Sequence, residues 1–276
     1  MTAGDPPGVP ADGARPAGGG LPAFAVAGAA FSAGGRELLA PLTLTLEPGR
    51  FHGLIGHNGS GKSTFLKLLA RQERPSAGAI SLGGRPLPEW GARAFARAVA
   101  YLPQATPAAT GLTVAELVAF GRYPWHGPLR RPSPADRARV EEAMRLADVA
   151  RFRDRLVDTL SGGERQRAWI AMLVAQDSGF VLLDEPTSAL DLAQSVEVLG
   201  LLRRLTRERG VGVVAVLHDI NAAAGHCDAL IALNGGRLQH AGPPDAIMQA
   251  PVLEAIYGLP MAVVAHPRTG APVGLP

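Results

Sequence analysis

The sequence predicts an α/β fold: a mostly parallel core sheet with an antiparallel β flap and an inserted helical subdomain. Three observations predict it. Apolar runs at 54–55 (closing a short strand over 51–55), 180–183 and 213–217 suit strands buried on both faces of a parallel sheet. Each run ends in polar chemistry: a glycine-rich turn after Ile55, Asp184 and Glu185 after Leu183, and His218 after Leu217. Between about 105 and 178 the strand signals vanish and helical spacing takes over.

Taken in order, residues 1–20 are Ala, Gly and Pro with few apolar anchors, a composition expected to stay disordered. A folded domain is expected over 21–270. Alternating segments at 23–31 and 42–46 read as flap strands. The run at 51–55 then enters Gly56-His57-Asn58-Gly59-Ser60-Gly61-Lys62-Ser63-Thr64, and residues 63–70 read as a helix leaving it. This strand–loop–helix pattern fits G-x-x-x-x-G-K-S, the phosphate-binding loop. Its glycines let backbone N–H groups cradle phosphate oxygens, the lysine reaches the outer phosphates and Ser63 offers a hydroxyl to Mg²⁺. The helix N-terminus adds a positive dipole end. Of 27 basic residues only Lys62 and Lys67 are lysines. The chain writes arginine elsewhere and places a compact ammonium where a planar guanidinium would fit badly.

Within the helical insertion, Ser133, Pro134 and Asp136 have the pattern of a helix start, with Ser133 as N-cap. Val140, Ala143, Met144 and Ala147 then mark one apolar face. The string 117–128 contains Tyr123, Pro124 and Trp125, and Pro124 reads as the end of a helix. A further helix opens at Leu160-Ser161-Gly162-Gly163-Glu164, where Ser161 and Glu164 form an S-x-x-E capping box. Adjacent acids at the end of a buried strand would need a cation nearby. Asp184 would hold Mg²⁺ directly or through water, and Glu185 would polarise an attacking water. His218 reads either as a member of the same site, at the end of an apolar strand, or as a helix cap.

Composition narrows the classes. A chain of 276 residues can bury a substantial core. Its one cysteine, Cys227, excludes an intrachain disulfide and reads as a small packed residue. No stretch approaches 18 apolar residues, so no membrane-spanning helix is expected, and the N-terminus lacks the pattern of a secretory signal. The net charge is +3, the arginines are scattered and 5% of residues are aromatic, which argues against a nucleic-acid partner.

GHNGSGKST, Gln104 after YLP, LSGGERQ, LLDEPTSALD and His218 occur in the order found in ATP-binding-cassette (ABC) ATPases, which the chain resembles over about 22–265. The resemblance implies a P-loop NTPase that hydrolyses ATP with Mg²⁺ and pairs with a second copy of itself. Each ATP would lie between residues 56–64 of one copy and Ser161, Gly162 and Gly163 of the other. It further implies that Ser63, Asp184 and Gln104 serve the metal, Glu185 is the general base, His218 contacts the γ-phosphate and Asp191 communicates between the two sites. Phe31 matches the aromatic that stacks on adenine, though a Phe is as readily core. GRYPWHG and AVLHDIN are similar to the ATPases of bacterial ferric-siderophore importers, the hydroxamate type above all. That similarity implies a multi-span permease at the cytoplasmic face of the plasma membrane, and indirectly a siderophore-binding protein. Importers of vitamin B12, haem and other chelates share most of these strings, and a soluble non-transport ABC protein is the remaining alternative. His57 departs from the proline commonest at its position in the wider family.

Overall fold

The computed structural model describes residues 22–127 and 131–276; the expected leader and Pro128 lie outside the described residues. In chain order, β1 (Phe24–Ala33), β2 (Arg36–Leu46) and β3 (Phe51–Ile55) precede α1 (Lys62–Leu69). Next come β4 (Ala77–Leu82), β5 (Arg85–Pro86), α2 (Ala92–Ala98) and β6 (Val99–Leu102). The helical stretch holds α3 (Val114–Ala119), α4 (Tyr123–His126), α5 (Pro134–Leu146) and α6 (Gly162–Gln176). Then follow β7 (Phe180–Leu183), α7 (Leu192–Arg209), β8 (Gly212–Val216), α8 (Ile220–His226), β9 (Ala229–Asn234) and β10 (Arg237–Gly242). The chain closes with α9 (Pro244–Ile247), α10 (Ala250–Tyr257) and the hairpin β11 (Ala262–Ala265) and β12 (Pro272–Leu275).

The core sheet has the order β10-β9-β3-β8-β7-β6. All of its pairings are parallel except the β9–β10 hairpin. Both faces are covered, which is why its strands read as unbroken apolar runs. Successive residues alternate between two cores: Val181, Leu183, Val213 and Ala215 join the helical side, while Phe180, Leu182, Val214 and Val216 join α1 and the flap. The antiparallel flap has the order β2-β1-β4-β5. β2 begins at Arg36, six residues earlier than the 42–46 run suggests, although Pro41 falls inside it. Proline cannot donate to a ladder, and β2 tolerates it because it is an edge strand. The short strand β6, the C-terminal strands and β4–β5 carry too few residues of clean alternation to stand out in the sequence.

In the insertion, Ser133 caps α5 as expected and forms a reciprocal capping box with Asp136. Ala143, Met144 and Ala147 are buried on its inner face. Pro124 does not end a helix: it sits in the first turn of α4, where its missing N–H leaves no intrahelical bond unmade. Arg122 and Asp136 form a buried ion pair at 2.9 Å, each side chain 9% exposed. Arg122 Nη1 also donates to Ala175 O, tying α4 and α5 to α6. Burial opposes ionisation of Asp136, but hydrogen bonds from Ser133 and Arg122 outweigh it and hold the carboxyl at about 2. A depressed carboxyl contributes stability that is complete above its usual value of 3.8 and lost as pH falls toward 2. Asp136→Asn strands Arg122 and is expected to destabilise the fold by about 3 kcal/mol at neutral pH. Thermal melts from pH 5 downward should show a smaller loss for the variant than for the native chain.

Candidate active site

The carboxyl ends of β3, β7 and β8, neighbours in the sheet, deliver the phosphate loop, Asp184–Glu185 and His218 to one edge, where ligands bind in open α/β sheets. A cavity of about 560 Å³ opens there. Residues 58–64, Gln104, Glu185 and His218 line it.

The loop turns because three of its glycines have positive φ. At Gly56, φ is 134° and an added Cβ would fall 2.0 Å from Leu233 O, so no side chain fits. Lys62 is only 5% exposed, and its Nζ donates to Gly56 O and His57 O, both at 2.8 Å. Burial lowers the Lys62 pKa, against the pull of Glu185 and Asp184. An ammonium held this way is short of water and carries charge toward an anion. Ser63 Oγ donates to Asp184 Oδ1 at 2.8 Å, and burial raises the Asp184 carboxyl. A part-buried hydroxyl–carboxylate pair of hard oxygen donors suits Mg²⁺.

Glu185 has φ 52°, a conformation that costs a non-glycine residue about 1 kcal/mol. Its carboxylate is pinned from both sides: Gln104 Nε2 donates to Oε2 at 2.7 Å, and His218 Nε2 lies 2.8 Å from Oε1. His218 therefore belongs to the site; the helix cap is its neighbour Asp219, which accepts from Asn221 N and Ala222 N.

Other expected residues lie elsewhere. Gly56 and His57 form the start of the loop without lining the cavity. Ser161 caps α6 and forms the capping box with Glu164, away from the cavity of its own chain. Gly163 packs against Gln194, whose N–H is capped by Asp191 Oδ1, so these two helix ends abut. Phe31 is half-buried against the flap core and does not line the cavity. Sequence reading missed Arg36, Glu37, Leu38, Gly235 and Gly236, which complete the lining. The Gly34-Gly35 and Gly235-Gly236 dipeptides, both hairpin signals, were the available clue.

The chain matches the ABC transporter family over residues 39–188, more than half its length. It belongs to that family. Within the family it is similar to the achromobactin transport ATP-binding protein CbrD of Dickeya dadantii, at 42% identity over 87% of this chain and 90% of that protein. It is similar as well to the iron(3+)-hydroxamate import ATP-binding protein FhuC of Bacillus subtilis, at 39% identity over 88% of this chain and 90% of that one. A solved ABC transporter described as of the metal-chelate type, in an inward-facing conformation, superposes with a TM-score of 0.80. It shares 27% identity and covers 92% of this chain and 96% of that one. The ABC protein is thus an ATP-binding ATPase with the P-loop NTPase fold. A solved bacterial ABC transporter cassette, MJ0796, is described as dimeric and superposes with a TM-score of 0.69 at 26% identity over 80% of this chain and 98% of that one. Among the described residues, no helix is long and apolar enough to cross a membrane.

Proposed function

We propose that this ATPase powers import of ferric siderophores, hydroxamates among them, through a separate multi-span permease at the cytoplasmic face of the plasma membrane. A siderophore-binding protein would deliver the cargo. The observation that carries the reading is the placement of Lys62, Ser63–Asp184, Gln104, Glu185 and His218 around one cavity, in a chain whose relatives are named for chelate import.

In this reading residues 21–270 form the ATPase domain, with 105–178 as its helical subdomain. The loop 56–64 binds the phosphates, with the Lys62 ammonium turned from the loop carbonyls toward them. Ser63, Asp184 and Gln104 hold Mg²⁺, which when bound neutralises phosphate charge. Glu185 accepts the proton of the attacking water, and His218 orients that carboxylate and meets the γ-phosphate. Ser161, Gly162 and Gly163 of a second copy close over the nucleotide with the positive end of α6, and Asp191 relays between the two sites. Phe31 supplies an apolar face to adenine.

The test is uptake of labelled ferric hydroxamates by cells with and without the gene, together with purification from detergent-solubilised membranes. Loss of uptake and co-purification of a multi-span protein are expected. Unchanged uptake would overturn the hydroxamate assignment, and absence of any membrane partner would overturn the transport role.

A further inference from the structure

The turn between β9 and β10 runs Asn234-Gly235-Gly236, with positive φ at both glycines, 54° and 75°. It touches the phosphate loop at two points. Gly236 N donates to Ser60 O at 3.2 Å, and Gly236 O accepts from Ala40 N of the flap at 2.8 Å. The second point is a side-chain pair, with His57 Nε2 2.7 Å from Asn234 Oδ1. The amide orientation of Asn234 is set from its other side, because Nδ2 donates to Ala255 O of α10 at 3.1 Å. Oδ1 is therefore the atom left to face His57, and an oxygen there can only accept. On the opposite edge of the ring, Nδ1 lies 2.7 Å from Asn58 O, which is also an acceptor. Nε2 is thus the ring nitrogen placed to donate to Asn234 Oδ1. Lys62 Nζ meanwhile donates to the carbonyl oxygen of His57 itself.

We infer that Asn234 is a positioning residue for ATP binding: through His57 it fixes the start of the phosphate loop to the β9–β10 turn and to α10. Neither side chain lines the cavity. His57 O is one of the two carbonyls that hold Lys62, so a slack His57 leaves the ammonium and the start of the loop less ordered for phosphate. Asn234 is the joint at which the C-terminal helix, the glycine turn and the phosphate loop meet. The inference rests on the reading that residues 56–64 bind the phosphates.

Steady-state kinetics of the full chain test it. Asn234→Ala and His57→Ala are each expected to raise KM for ATP about tenfold with little change in kcat, the effect of one lost hydrogen bond. The double variant should be no worse than either single one, since the two remove the same link. Asn234→Asp keeps an acceptor for Nε2–H but sets a carboxylate oxygen against Ala255 O, and should raise KM less than Asn234→Ala does. An unchanged KM in Asn234→Ala, or effects that multiply in the double variant, would overturn the link. An Asn234→Asp variant as impaired as Asn234→Ala would also overturn it, by placing the effect at Ala255. Lys62→Ala serves as the separate control: if it still binds ATP normally, the phosphate-loop reading itself fails, whatever the other variants do.

Discussion

Glu185→Gln is expected to stop ATP turnover while leaving ATP binding intact. The carboxylate takes a hydrogen bond from Gln104 at Oε2 and meets His218 at Oε1. An amide of the same shape keeps both neighbours: its oxygen accepts from Gln104, and its NH₂ donates to the imidazole. What it loses is the ability to take a proton from water. General-base catalysis contributes about 10²- to 10⁴-fold, so kcat should fall by at least about 100-fold. In the proposed dimer a second copy closes over bound nucleotide, so the stalled variant should accumulate as an ATP-dependent dimer on size exclusion. Turnover at the native rate would remove Glu185 from its proposed role. Turnover lost together with binding would mean that the variant had disturbed the strained backbone at this position rather than the proton transfer.

Lys62→Ala should act on the other side of the cycle, on affinity. The substitution leaves Gly56 O and His57 O without their shared donor and removes a buried ammonium from the site. A charge-assisted bond to phosphate in such a place is worth about 3 kcal/mol, so ATP affinity should fall about 100-fold or more. Lys62→Arg should rescue little, because the guanidinium is planar and too broad for the space between the loop carbonyls. Equilibrium binding of a fluorescent ATP analogue measures both. Near-native affinity in Lys62→Ala would refute the loop assignment.

The residues that make up the site were legible because each sits at the end of an apolar run, and a parallel sheet gathers such ends. That reasoning located the phosphate loop, Asp184, Glu185 and His218 without any contact information. It could not see the contribution of Arg36, Glu37 and Leu38, which reach the cavity from a flap strand whose start is hidden by Pro41 and by polar residues. Nor could it see Asn234, whose partner His57 lies 177 positions away. A hairpin glycine pair announces a turn but not what the turn leans on. The helical insertion was readable at Ser133 because a cap is a local device. The ion pair of Arg122 with Asp136 was not, since it joins two elements through the fold.

The bond between Ser63 and Asp184 spans 121 residues of chain. At the usual pace of synthesis, about 5–20 residues per second, the loop waits roughly 6 to 24 s for that carboxylate and longer for His218. The cradle itself is finished later still, because Gly56 packs on Leu233 O and Ser60 O takes its hydrogen bond from Gly236 N. Binding and cleavage are therefore completed together, late in synthesis, rather than one after the other.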